Sequence, residues 1–361
     1  MSIYLLLISF VLIVSFLSED KRIPKNYQAY WFGVFFIVLS LFAGTRLMGY
    51  DFGTYQNHFN IVPDILHYHR ADSTIELGYE LLVSLYKTFS DSFNGFLTFY
   101  TGITLLFTGI VCFRYSPNPL ISLAMFFAYA FFTQVMGQMR QPFSILFLYL
   151  FLIPSIIKHK YKTSIVIILL TTVLLHKSAI LALGILVFKD RILKPKLLGM
   201  ITLCVILIYL GSSHLMKLLL LLVPKSFFLY NALEAYTTYK AIQVGFTLGM
   251  IERIGMFLVA YYYANRYNLY QTNQRLRLFI NLYFTGVCIY FSFISVAAEF
   301  ATRGAFFYVY SLFFIMPTLI KEVQIKDKYF LYTIILLWSV YLAIGVFGIE
   351  EYLPYKSSLT Q

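Results

Sequence analysis

The sequence predicts an all-α integral membrane protein with about 12 transmembrane helices, or 11, and with interfacial helices in its outer loops. Two features of composition predict this. Hydrophobic residues make up 60% of the chain and charged residues only 12%, a balance foreign to soluble domains. Apolar runs near helix-spanning length recur from one end to the other. The third observation is the sorting of charge between short loops, which sets an orientation. The gaps between runs are too short to hold a soluble domain, so residues 1–361 read as one polytopic membrane domain.

Taken in order, the apolar runs lie at roughly 3–18, 29–47, 94–113, 119–137, 141–157, 162–175, 177–188, 197–213, 246–265, 277–297, 300–320 and 329–348. The first has no basic residue before it and no cleavage pattern after it, so it reads as a retained helix. The sixth and seventh are short and share the junction Leu175-His176-Lys177, which leaves room for one broken element. Cys112, Cys204 and Cys288 all fall inside apolar runs and read as small core residues, not as a disulfide framework.

The loops at 19–27, 114, 158–162, 189–196, 266–277 and 321–328 together hold 17 Lys or Arg and 5 acids. Everything else holds 11 of each, so the whole formal charge of +12 sits on one face. The positive-inside rule makes that face cytoplasmic and puts both termini outside. The basic balance therefore reflects topology and gives no reason to invoke nucleic acid.

Two outer loops follow, 51–93 and 214–245. In the first, Ser73-Thr74-Ile75-Glu76 has the pattern of a capping box. Beyond it Glu76, Glu80, Ser84, Lys87 and Asp91 recur at helical spacing, with Leu, Val, Tyr and Phe between them. That pattern predicts an amphipathic helix lying on the bilayer surface, the second of two in this loop. Glu76 is assigned to the cap, which leaves Glu80 free to face a site. In the second loop Tyr230, Tyr236 and Tyr239 stand among small and polar residues. Such rings suit either sugar stacking or the interfacial aromatic belt.

Charges at or inside span ends fall mostly on the outer side: Arg46, Arg140, Lys177, Glu252, Arg253, Glu299 and Arg303. Arg253 is about seven residues into its run, roughly 10 Å deep. The five cations come from five different spans. Cations at membrane depth need an anion, and a lipid-linked phosphate is the simplest one to serve all five. The alternative is that each pairs with a structural carboxylate or a lipid headgroup. Gly44-Thr45-Arg46, followed by Gly49, Asp51 and Tyr55, is the densest such stretch. There Asp51 reads either as a general base or as the N-cap of a short helix, and Arg46 as an anion ligand or as a snorkelling cation.

The sequence has no Gly-rich phosphate loop, no His/Cys cluster of metal-ligand spacing, no G-x-S-x-G elbow and no Asp-x-Asp pair. What remains is a metal-free, cofactor-free arrangement of arginines, a few carboxylates and His176. Such a set can cleave a glycosyl–pyrophosphate bond. Arginines stabilise the departing pyrophosphate while a carboxylate or imidazole takes the proton of an attacking sugar hydroxyl.

At these residues the chain resembles the EpsG family of Wzy-type polysaccharide polymerases. The resemblance rests on Gly44-Thr45-Arg46 with Gly49, Asp51 and Tyr55, on Glu76-x-Gly78-Tyr79, on Met139-Arg140-Gln141 and on His176-Lys177-Ser178, with Glu252-Arg253 and Arg303 in support. Pro142 departs from the small residue expected there. The resemblance implies a multi-span glycosyltransferase of the bacterial inner membrane, its site facing the periplasm or exterior. It would transfer a growing glycan from undecaprenyl pyrophosphate to a new lipid-linked repeat unit of O-antigen, capsule or exopolysaccharide. Its implied partners are those lipid-linked glycans, membrane lipids, a chain-length regulator and a flippase. Arg46, Arg140, Lys177, Arg253 and Arg303 are then expected to bind pyrophosphate, and Tyr55, Tyr236 and Tyr239 sugar. Asp51, Glu80, His176 and Glu299 are the candidate bases, Asp51 first. A lipid-linked oligosaccharide flippase and an O-antigen ligase are the rival readings. Against the flippase, the deep charges stop in the outer half and no repeat is visible.

Overall fold

A computed structural model describes residues 2–18, 26–70, 75–188, 191–225, 230, 234, 247–347, 349–353 and 355–359. All the regular elements among them are helices, as the apolar patterning predicts. The chain forms two compact units, Met1–Ile180 with Met316–Gln361, and Leu181–Ile315.

In the first unit, α1 (Ser2–Leu17) and α2 (Tyr27–Gly44) precede the short α3 (Phe52–Ile61) and α4 (Leu77–Lys87). The long α5 (Phe93–Tyr115) starts at Ser92, whose hydroxyl accepts the Gly95 N–H. Helix α2 packs along α5, and glycine permits the approach: a Cβ on Gly44 would lie 2.0 Å from the Thr98 hydroxyl oxygen. Helix α6 (Pro119–Phe126) opens on the Asn118 cap with proline in its first turn, then widens into a π-helical segment over Phe127–Val135. Helices α7 (Arg140–Ile157) and α8 (Tyr161–Leu174) form an antiparallel pair. The unit closes with α15 (Ile325–Phe347) and a final turn at Glu350–Tyr352.

The segment after that turn lies against the end of α2. Leu47 donates its N–H to the Lys356 carbonyl (3.0 Å) and Ser358 donates to the Thr45 carbonyl (2.8 Å). Tyr355 stacks on Phe42 with ring centres 4.3 Å apart, and its hydroxyl donates to the Phe42 carbonyl. Tyr4 of α1 donates to the Tyr352 carbonyl at 2.6 Å. These contacts form a strap over Thr45–Leu47.

The second unit contains the bent pair α9 (Pro195–Leu210) and α10 (Ser212–Leu222), then α11 (Leu248–Arg266), α12 (Gln274–Phe293) and α13 (Ala298–Val309). Helices α12 and α13 are its most extensive pairing. Helix α14 (Leu312–Glu322) follows α13 in the chain, and its residues from Met316 on belong to the first unit.

The structure supports an all-α membrane protein but corrects the count of twelve spans. Among the described residues, six helices are long and apolar enough to cross a bilayer, counting Ala298–Glu322 as one, and seven if the α9–α10 pair, bent by 76°, is a single span. The apolar runs at 3–18, 119–137, 162–175 and 177–188 fold as shorter helices, the last of them 3₁₀-helical over Lys177–Gly184. Helix α11 has the length but is too polar, with Glu252 and Arg253 inside it. An apolar run reports burial in hydrocarbon or protein alike, so hydropathy alone counts both.

The first outer loop does form two short helices, α3 and α4. The facing of α4 is the reverse of a helix with its polar side in water. Glu80 and Ser84 are fully buried, while Leu85 points outward. Its polar stripe is turned into the protein.

Candidate functional site

The first unit brings together Arg46, Asp51, Tyr55, Glu76, Arg140 and the start of the Lys177 helix. Arg46 follows the end of α2 and is completely buried. Its Nη1 donates to the Ala43 carbonyl, while Nε and Nη2 have no hydrogen-bond partner. The largest electrostatic influences on it come from the Tyr352, Tyr355, Tyr55 and Tyr79 hydroxyls, neutral at physiological pH, and among the described residues it has no ion pair with a carboxylate. A buried cation without a counter-ion is expensive and is kept where something else supplies the charge.

Arg140 opens α7 and pairs with Glu76, the residue before α4. Its guanidinium also sits over the Tyr55 and Tyr79 rings, 5.7 and 5.8 Å from their centres. The second Glu76 oxygen accepts the Lys177 backbone N–H at 2.9 Å, tying α4, α7 and the Lys177 helix to one carboxylate. Burial opposes ionisation of Glu76, but Arg140, His176 and the Lys177 N–H outweigh it and hold the carboxyl below its ordinary range. Burial pushes the Tyr55 hydroxyl up, against the pull of Arg140, so Tyr55 stays a neutral donor.

Asp51 occupies the N-cap position of α3, yet its side chain makes no capping bond. Among the described residues its half-buried carboxylate has no hydrogen-bond partner. The cap alternative for Asp51 is therefore not what this structure contains. Glu80 is sealed: the Tyr68 hydroxyl donates to it at 3.1 Å, and His58 Nε2 lies 3.6 Å from its other oxygen. His176 Nδ1 accepts the Ser178 N–H and contacts the Ser178 hydroxyl at 2.7 Å, so that lone pair is engaged locally.

In the second unit Arg253 donates to the Gly249 carbonyl, lies 3.4 Å from Glu252 and stacks 3.9 Å above the Tyr290 ring centre. Arg303 pairs with Glu299 one turn earlier on α13. Tyr236 and Tyr239 lie outside the described residues, as do Ser73 and Thr74 of the expected capping box. Among the described residues no three His, Cys, Asp or Glu side chains converge as metal ligands.

Sequence reasoning missed Glu76 and His58. Glu76 was assigned to the cap, but its side chain makes no cap bond and goes to Arg140 instead. His58 carried a signal: it lies one turn after Tyr55 on the same helix face. The strap residues Tyr352 and Tyr355 gave none, being more than 300 positions from Arg46.

The class is now defined: a multi-helix membrane protein with a buried, uncompensated arginine beside a Glu–Arg pair near the end of its spans. The chain belongs to the EpsG family, a family of exopolysaccharide-polymerase-like membrane proteins, whose model matches residues 29–357. No curated protein and no solved structure matches the chain.

Proposed function

We propose that this protein polymerises oligosaccharide repeat units carried on undecaprenyl pyrophosphate, at the outer face of the bacterial inner membrane. Family membership supports a polymerase-like role, and one observation supports the chemistry: Arg46, fully buried, has two donor groups unused and, among the described residues, no carboxylate partner. In this reading the bond between the donor sugar's anomeric carbon and the pyrophosphate oxygen breaks. The acceptor sugar's hydroxyl oxygen forms the new glycosidic bond. Its proton passes to Asp51 and then to solvent, and lipid pyrophosphate departs as an anion held by Arg46, Arg140 and Lys177. Tyr55, neutral beside Arg140, orients the acceptor or its leaving partner. No metal is required, because arginines supply the charge.

The test uses the full chain in vesicles with a lipid-linked repeat unit as sole substrate, read as a glycan ladder. Arg46→Ala should abolish chains beyond a few units, and a wild-type ladder from that variant would sink the proposal. A deletion strain separates the rivals. Polymerase loss leaves single repeat units on the final carrier, ligase loss leaves none, and flippase loss stalls units inside. Orientation is tested by labelling Asp64→Cys from outside, with a cysteine at 160 as the protected control.

A further inference from the structure

An apolar cavity of about 440 Å³ runs between α7 and α8 in the first unit. Phe147, Phe151 and Pro154 line it on one helix and Ile167, Leu170 and Leu174 on the other. From Thr163 to Leu175 it extends about 18 Å, more than half the depth of a hydrocarbon core. Its two ends differ. At one end Lys158 and Lys160 close it. The other reaches Leu174 and Leu175, the residues immediately before His176 and Lys177. Arg140 stands two turns beyond Phe147 on the same helix, and Gly78 fits closely over the Leu174 carbonyl, fixing Glu76 at this mouth. Unlike Arg46, Arg140 is accessible, with 21% of its side chain exposed, and its Nε has no partner.

We propose that this groove seats the hydrocarbon tail of an isoprenoid pyrophosphate, with the pyrophosphate held at the Arg140–Lys177 mouth. The inference rests on the lipid-linked substrate proposed above and adds where its lipid lies. In a bilayer, moving a tail from lipid into an apolar groove gains little from the hydrophobic effect, because lipid chains are as apolar as leucine. The charged end must therefore supply affinity, while the groove aligns the tail and aims the head. A groove with cations at the mouth beside the candidate site fits that division of labour. The competing occupant is an ordinary anionic phospholipid entering from the opposite end, with its phosphate at Lys158 and Lys160.

The probe is a polyprenyl pyrophosphate with a diazirine in its first isoprene units, irradiated with the full chain in phosphatidylethanolamine nanodiscs. Labelled peptides are then mapped by mass spectrometry. Label is expected on α7 around Phe147–Phe151 and on α8 around Leu170–Leu174. Unlabelled polyprenyl pyrophosphate should displace it, and polyprenol or phosphatidylglycerol should not. Leu170→Trp fills the groove from an exposed position and should cut labelling about tenfold, whereas Val173→Trp, exposed but not lining it, should not. Arg140→Gln should lower labelling roughly tenfold or more, the loss of one charge-assisted contact. Leu170→Trp keeps the test valid if the Arg140 variant misfolds. Label elsewhere, or label displaced equally by phosphatidylglycerol, overturns the proposal. A glycan ladder with label outside the groove would refute the groove alone. Label in the groove without any ladder would support it while refuting the polymerase reading.

Discussion

The two units hold their charges in opposite ways. In Leu181–Ile315, Arg303 pairs with Glu299 one turn away, and Arg253 sits beside its neighbour Glu252 and over Tyr290. In the other unit Arg46 is buried among tyrosines, and among the described residues neither it nor the Asp51 carboxylate has an ion-pair partner. A partly exposed i,i+4 pair such as Arg303–Glu299 is worth little by itself. An isolated buried cation and an idle carboxylate a few residues apart cost stability, and such costs collect where a ligand completes the arrangement. The contrast is what supports placing the proposed chemistry in the first unit.

The sharpest way to break that contrast is Asp51→Asn. A general base lost there should lower the polymerisation rate roughly 10²–10⁴-fold. Because no capping bond is made, both Asp51→Asn and Asp51→Ala should leave the melting temperature unchanged. Full activity in the Asn variant would move the base elsewhere and dissolve the pairing with Arg46.

Next in size is Glu76→Gln, which strands Arg140 and should cost about 3–5 kcal/mol of stability. Acidification makes the same point with the wild type. The folded carboxyl of Glu76 is held below its unfolded value, so its contribution is complete above the ordinary carboxylate value. It is lost as pH falls through the depressed folded value. The Gln variant should lack that acid limb in a melting-temperature series; an identical limb would show that other carboxylates carry it.

Arg46→Met should separate function from stability. Losing one charge-assisted contact to phosphate should cost on the order of 1.5–3 kcal/mol of transition-state binding, read from the ladder rate. Removing an uncompensated buried charge should hold or raise the melting temperature. A large drop in melting temperature with normal activity would make Arg46 structural. The smallest effect is expected at Arg303→Ala, about 0.3–0.5 kcal/mol for an i,i+4 helix pair, measured by thermal melting. A loss of polymer there as deep as at Arg46 would erase the distinction.

Much of this was legible in the sequence because it is local. The helical class follows from apolar runs, Arg303 lies one turn from Glu299, and the Gly44-Thr45-Arg46 stretch stood out as a charge ending a hydrophobic run. The pairing of Glu76 with Arg140 joins residues 64 apart and has no periodic signature. Glu80 reads as a free carboxylate on an amphipathic face until Tyr68 and His58 close over it. Hydropathy overcounted the spans for a related reason: buried 3₁₀ and short helices are as apolar as membrane-crossing ones.

The strap has a consequence for the order in which the protein is made. Tyr355 and the Phe42 carbonyl it binds are 313 residues apart. At roughly 5–20 residues per second, the end of α2 leaves the ribosome some 15–60 s before the segment that covers it. Throughout that interval Arg46 lacks the strap tyrosines Tyr352 and Tyr355, though Tyr55 and Tyr79 are already made. A chain cut before Tyr352 keeps its long helices but lacks the two strap tyrosines that cover Arg46.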